Sequence, residues 1–225
     1  MKVKILLIDD GPVTSIVEKV ELALKKNGIT LDYKVIDIND QNFKKKNNLS
    51  EEVLDFDKIK EHIIANYIDE PFDIIACDYY YADVLNGAKI LGWIKNISAA
   101  QKKRIRKAKF CLYSSEVDKI CTTNNTVEEI RKLITIRLTG LYNRTNLASE
   151  LITLCEKNDI KLTSVFATEM NKFSTTKFKS PYPQFIDKTF GDIAEEVERE
   201  THHGQKFAHH LVELTVNHLN ELNKD

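Results

Sequence analysis

At 225 residues, 42% of them apolar, the chain has room for one sizeable domain with a smaller appendage and material for a buried core. A net charge of −1 excludes any global attraction to nucleic acid or an anionic membrane surface. No apolar run approaches the roughly 20 residues needed to span a bilayer, and MKVKILLIDD ends in acid without a small-residue cleavage site, so a cytoplasmic protein is expected.

The first element is KVKILLID (2–9), a continuous apolar run that predicts a strand covered on both faces. It stops at two adjacent carboxylates, Asp9 and Asp10. SIVEKVELALKKNG (15–28) has helical spacing and stops at Gly28. LDYKVIDI (31–38) reads as a second strand, followed by a polar, aperiodic stretch near 40–55 that reads as a loop insertion. DFDKIKEHIIANYI (55–68) is helical, and FDIIACD (72–78) is a third strand ending in acid. GAKILGWIKNI (87–97) predicts a helix, KFCLYSS (109–115) a strand and TVEEIRKLITIR (126–137) a helix. TGLYN (139–143) predicts a short fifth strand and NLASELITLCEKN (146–158) a fifth helix.

This alternation predicts an α/β fold, a flavodoxin-like, doubly wound parallel sheet of five strands. Such sheets carry their chemistry at the carboxyl ends of the strands. Asp9, Asp10, Asp78, Ser114 and Ser115 all fall at predicted strand ends and should meet on one rim. Alone, the Asp9–Asp10 pair could be an exposed helix cap, since Asp is a good N-cap. Together with Asp78 it makes a hard, oxygen-rich set suited to Mg²⁺. A strand-end carboxylate can also act as a nucleophile toward phosphorus.

These residues resemble a family. KILLIDDGPVTSIVEKVEL is similar to the opening of the response-regulator receiver domains of two-component signalling, where an acidic pair holds Mg²⁺. FDIIACDYYYADVLNGAKIL resembles the third strand, phosphoacceptor loop and third helix of that family, and KFCLYSSE its fourth strand with a Ser/Thr switch residue. The resemblance covers about residues 1–158. It implies Asp78 as phosphoacceptor. Asp9, Asp10, Asp78 and the Tyr80 backbone carbonyl would be the Mg²⁺ ligands, and Ser114 and Arg144 the groups that follow the phosphoryl. It also implies a sensor histidine kinase or phosphotransfer protein as partner. Arg144 stands where the family carries Lys, and YYYAD replaces the usual Met-Pro of the acceptor loop. A receiver-like surface without phosphotransfer, a pseudo-receiver acting as a protein-interaction module, is the alternative. A metal-dependent phosphohydrolase is the weaker third reading, because no separate general base is in place; no enzyme with an external product is expected.

Beyond residue 158 the pattern changes. IKLTSVFATEM (160–170) reads as one extra strand within a linker covering 159–184, and 185–225 as a helical tail, two helices hinged near Gly204. Phe190, Ile193 and Val197, then Phe207, Leu211, Leu214, His218 and Leu222, recur at helical spacing. Such stripes need covering, which predicts a homodimer through 185–225. His202, His203, His209, His210 and His218 are spaced too widely along one helix to share an ion. Residues 187–225 carry nine acids against four Lys and Arg, which argues against DNA binding. The basic run QKKRIRKAK (101–109) lacks interleaved aromatics and reads as a solvated helix end. The cysteines Cys77, Cys111, Cys121 and Cys155 form no CxxC pair and read as reduced thiols.

Overall fold

The computed structural model describes residues 2–46, 50–82, 85–118, 120, 127–156, 162–179 and 182–223. Cys121, Pro181 and positions 157–161 of the expected elements lie outside these. The chain divides into two compact units, residues 1–158 and 159–225.

In the first unit β1 (Lys2–Asp9), β2 (Thr30–Asp37), β5 (Ile74–Asp78), β8 (Lys109–Ser114) and β9 (Gly140–Asn143) form one sheet in the order β2-β1-β5-β8-β9. Every pairing in it is parallel. Counted within this sheet alone the order is 2-1-3-4-5, the flavodoxin-like winding. The continuous apolar run of β1 is explained by two cores. Ile5 and Leu7 pack with Val17, Val20 and Leu24 of α1 (Thr14–Lys26) and Leu147 and Leu151 of α5 (Leu147–Glu156). Leu6 and Ile8 pack on the other face with Ile59 and Ile63 of α2 (Phe56–Asn66), with Ile90 and Ile94 of α3 (Gly87–Ala100), and with Ile136 of α4 (Val127–Ile136). The strand order reverses between β1 and β5, so the crevice at the carboxyl ends of the sheet opens beside Asp9 and Asp78.

The stretch expected as an unstructured insertion carries a small ribbon. β3 (Lys44–Lys46) pairs antiparallel with β4 (Glu52–Leu54), and Phe43 is buried beneath it. One apolar ring in a polar stretch gave no period to read, yet it is enough to pin the segment on the core. A second ribbon pairs β6 (Tyr80–Ala82) with β7 (Leu85–Asn86) inside the loop after Asp78. Cys77, Cys111 and Cys155 are free and buried. Among the described residues no helix is long and apolar enough to cross a membrane.

In the second unit the expected extra strand is instead a helix, α6 (Leu162–Asn171). Its β-branched residues favour extended structure, but Ala167 and Met170 enter the unit's core at helical spacing, and that burial overrides propensity. The expected linker is folded too. Phe178 packs edge-on against Phe185, Phe190 and Phe207, and Lys177 bridges to Thr189. The tail forms α7 (Phe190–Glu198), closed at its start by a Thr189–Asp192 capping box, and α8 (His202–Leu222). The break between them is not at Gly204. It falls at Arg199–Thr201, where Glu200 has φ 50° and the Thr201 side chain accepts the Gly204 N–H. Gly204 sits inside α8 because a Cβ there would lie 2.2 Å from the Glu196 carbonyl oxygen. The expected covered stripe is covered at one end only. Phe207 is buried, whereas Leu214 and Leu222 are 50% and 67% exposed. α8 extends past the small core that holds its first turns.

Candidate functional site

Four strand ends build the site. Ile8 pairs with Cys77, Asp78 with Tyr113, and Ser114 with Asn143, so Asp9, Asp78, Ser114 and the residue after β9, Arg144, arrive at one level of the rim. Neighbouring residues of a strand point to opposite sides, and this separates the acidic pair. Asp9 is wholly buried, and Asp10 is partly exposed. Neither caps α1, whose N-cap is Val13. The Asn39 amide donates to the Asp10 carbonyl oxygen at 2.7 Å and ties β1's end to the loop after β2.

Arg144 is the centre of the constellation. Its Nη1 donates to Asp9 Oδ2 and to Asp78 Oδ2, each at 2.8 Å. Its Nη2 reaches the Pro12 carbonyl oxygen at 3.4 Å. Asp9 Oδ2 also accepts the Tyr113 hydroxyl, and Asp9 Oδ1 accepts the Gly11 N–H at 2.8 Å. Asp78 Oδ1 accepts the Tyr80 N–H at 3.4 Å.

The electrostatics follow. Burial first, and then the Asp9 charge, raise the Asp78 carboxyl to about 6, against the pull of the Tyr80 N–H and Arg144. Burial and Asp9 also raise Asp10. Burial disfavours the Arg144 charge, but its hydrogen bond to Asp9 and the surrounding negative groups outweigh that and lift its pKa above the ordinary value.

Asp9, Asp10 and Asp78 each offer an oxygen within 4.8 Å of the others. About 2.0–2.1 Å is the Mg²⁺–oxygen distance, which spaces opposite ligands at about 4.2 Å. The donor chemistry fits a hard divalent cation. Tyr80 lies two residues past Asp78, in the ribbon of the loop that follows it. Ser114 is buried, and its Oγ accepts the Glu116 N–H at 3.0 Å. Gly87 opens α3 directly against the Asp78 backbone, and its N–H donates to the Tyr79 carbonyl at 2.9 Å.

Tyr79, Tyr80 and Tyr81 follow Asp78, and Tyr113 pairs with it across the sheet, where aromatic rings serve to pack the rim. Two of them do more. The Tyr81 hydroxyl donates to the Ile8 carbonyl at 2.8 Å and lies 3.1 Å from Cys77 Sγ. Tyr113 holds Asp9. The available signal was a hydroxyl-bearing ring inside an otherwise apolar strand, one residue before the strand-end serine, because a buried phenol needs a partner.

No protein-family model matches the sequence, and no curated protein matches it. Solved structures similar to the chain include a response regulator from Thermotoga maritima, 12% identical over 70% of this chain and 97% of that one, with a TM-score of 0.39. A response regulator receiver domain from Rhodospirillum rubrum is 14% identical over 68% of this chain and 90% of that one, with a TM-score of 0.37. A sensor protein from Polaromonas sp. JS666 is 11% identical over 69% of this chain and 94% of that one, with a TM-score of 0.39. The first unit is a flavodoxin-like α/β domain by its own strand order and by the helices on both faces of its sheet.

Proposed function

We propose that the first unit is a signalling receiver that accepts a phosphoryl group on Asp78. The observation that supports this most is the placing of Asp78 at the sheet's switch point, beside two further carboxylates and the partly buried Arg144 guanidinium. An Asp78 carboxylate oxygen forms the new bond to phosphorus while the phosphorus–nitrogen bond of a phosphohistidine donor breaks, and the nitrogen leaves with the electron pair. The donor is a sensor histidine kinase or a phosphotransfer protein. Asp9, Asp10, Asp78 and the Tyr80 carbonyl would hold Mg²⁺, which would supply charge neutralisation for the transferring group. Arg144 pairs with the phosphoryl oxygens, and Ser114 turns toward them, giving up its Glu116 contact. The product is the modified protein itself, so the unit is a switch and not an enzyme with an external product. We place it in the cytoplasm, working as a homodimer through 185–225.

The test is phosphoryl uptake from acetyl phosphate with Mg²⁺, followed by intact mass. Uptake that disappears in Asp78→Asn supports the assignment, and unchanged uptake in that variant sinks it.

A second reading has its own observation. Arg144 already neutralises Asp9 and Asp78 from a single nitrogen. A rim satisfied by its own side chain can serve a pseudo-receiver, which presents its α/β surface to a partner protein without phosphotransfer. Wild-type protein that takes up neither acetyl phosphate nor beryllofluoride selects this reading.

A further inference from the structure

None of the Asp9 surface reaches solvent, and three groups already satisfy its carboxylate. A carboxylate offers about four lone-pair positions, two on each oxygen. On Oδ2 both are filled, by the Tyr113 hydroxyl and by Arg144. Asp10 differs: no side chain among the described residues hydrogen-bonds its carboxylate, and it is partly exposed.

Tyr113 reaches this place because β8 sets it directly across from Asp78, on the sheet face it shares with Ile5 and Leu7. Its ring is completely buried among them, and its hydroxyl meets the end of β1, donating to Asp9 Oδ2 with the Ile8 carbonyl oxygen farther off at 3.5 Å. The Arg144 guanidinium carbon lies 5.7 Å from the centre of that ring. Tyr113 therefore meets Arg144 twice, by its ring and through Asp9.

We propose that Tyr113 is a positioning residue for Arg144. Acting through Asp9, it fixes the carboxylate orientation that seats the guanidinium against Asp78, and it withholds Asp9 Oδ2 from a divalent cation. The inference rests on reading the rim as a phosphoryl site. The terminal carboxylate torsion of Asp is broad and weakly held by itself. A hydrogen bond from a buried phenol selects one angle. Oδ2 then faces Arg144, and the cation is left to Asp10, Asp78 and the remaining capacity of Oδ1. Tyr113 thus divides the acidic pair into a seat for the arginine and a ligand for the metal.

Tyr113→Phe keeps the ring and removes only the hydroxyl. The first readout is hydrogen exchange of the Arg144 guanidinium, followed by ¹⁵N NMR on metal-free full-length protein and assigned by its loss in Arg144→Lys. Tyr113→Phe and Asp9→Asn should each speed that exchange by about tenfold, the worth of one charge-assisted hydrogen bond. Asp10→Asn should leave it unchanged. The second readout is Mn²⁺ titration. Tyr113→Phe should tighten binding by about fivefold as Oδ2 is released, and Asp10→Asn should weaken it by more than tenfold. Arg144 exchange in Tyr113→Phe equal to wild type overturns the proposal, whatever happens to the melting temperature, and so does weaker Mn²⁺ binding in that variant. Failure of the phosphoryl reading looks different. Wild type would then capture no beryllofluoride at millimolar Mg²⁺, while the arginine seat would still be decided by the metal-free exchange.

Discussion

The Asp78 carbonyl oxygen occupies the space where a side chain on Gly87 would begin: a Cβ placed there would lie 2.0 Å from it. Leu112 Cδ2 closes the same space at 3.0 Å. The start of α3 is thus held against the backbone of the proposed acceptor, and Asn86, whose side chain accepts the Lys89 N–H, caps the helix at that point. Gly87→Ala should force α3 and Asp78 apart. We expect a loss of about 2–4 kcal/mol in unfolding free energy, in the range of overpacking at a rigid backbone contact. Urea titration measures it. Stability within about 0.5 kcal/mol of wild type would mean that the contact relaxes cheaply.

Arg144 and a lysine at the same position are expected to behave differently. The planar guanidinium spans two carboxylates, whereas an ammonium is a compact point charge on a flexible stem. Arg144→Lys should keep the fold, because Arg144 belongs to neither core cluster. It should also increase the response of the rim to phosphorylation, since the Nη2 contact with the Pro12 carbonyl is given up and the charge sits on a flexible stem. Amide chemical-shift changes on adding beryllofluoride and Mg²⁺ report this. Changes equal to or smaller than those of wild type would show that the arginine serves the switch as well as a lysine does.

The sheet was legible because period and length speak for themselves where a strand is buried on both faces. Ile5, Leu6, Leu7 and Ile8 are all apolar, and all are buried. The acidic rim was legible for a related reason: charged residues that interrupt such runs can only lie at their ends. Tyr113 was only half legible: a phenol buried in a strand needs a partner, but nothing in the sequence names Asp9, 104 residues away. The helix α6 was misread because Val165 and Phe166 favour strands locally, and only the distant Phe185 and Val197 make Ala167 and Met170 core positions. The break before α8 was expected near Gly204 and falls three residues before it, at Arg199–Thr201. Gly204 serves close approach to Glu196, and Glu200 carries the positive φ.

Glu196 ties the turn between α7 and α8 together. Lys188 pairs with its Oε1, and the Thr201 hydroxyl donates to Oε2 at 2.9 Å. Burial alone would raise this carboxyl, but the Lys188 and Thr201 hydrogen bonds outweigh it and hold its pKa below the ordinary 4.5. A depressed folded pKa adds stability that is present above the unfolded value and lost as pH falls through the folded one. The second unit should therefore loosen as pH drops below about 4.5. Glu196→Gln should cost about 1 kcal/mol at pH 7 and less at lower pH. Hydrogen exchange of α7 amides, corrected for intrinsic rates, follows this. A difference between variant and wild type that stays constant from pH 7 to pH 3.5 would remove Glu196 as its source.

The last prediction concerns α8. Val212, Leu214, Val216, Leu219 and Leu222 are each between 43% and 67% exposed. At 100° per residue they fall, with Leu211, on roughly half of the helix circumference, and His209, Glu213, Asn217 and Asn220 occupy the other half. From Leu211 to Leu222 the face runs about 17 Å, enough for two antiparallel copies to pack. Finishing the burial of five half-covered apolar side chains is worth about 1 kcal/mol each, so about 10 kcal/mol for a symmetric pair. Against this stands an association cost of about 4–15 kcal/mol. At the low end of that cost the difference is about 6 kcal/mol, which predicts a weak dimer with a dissociation constant of about 40 μM or higher. The Val216→Glu, Leu219→Lys double variant leaves the buried Phe207 end of α8 intact and should be monomeric. Sedimentation equilibrium on the full chain, carried to several hundred micromolar, decides the matter. A wild type that stays monomeric throughout, or a double variant that associates equally well, would show that this face does not meet a second copy.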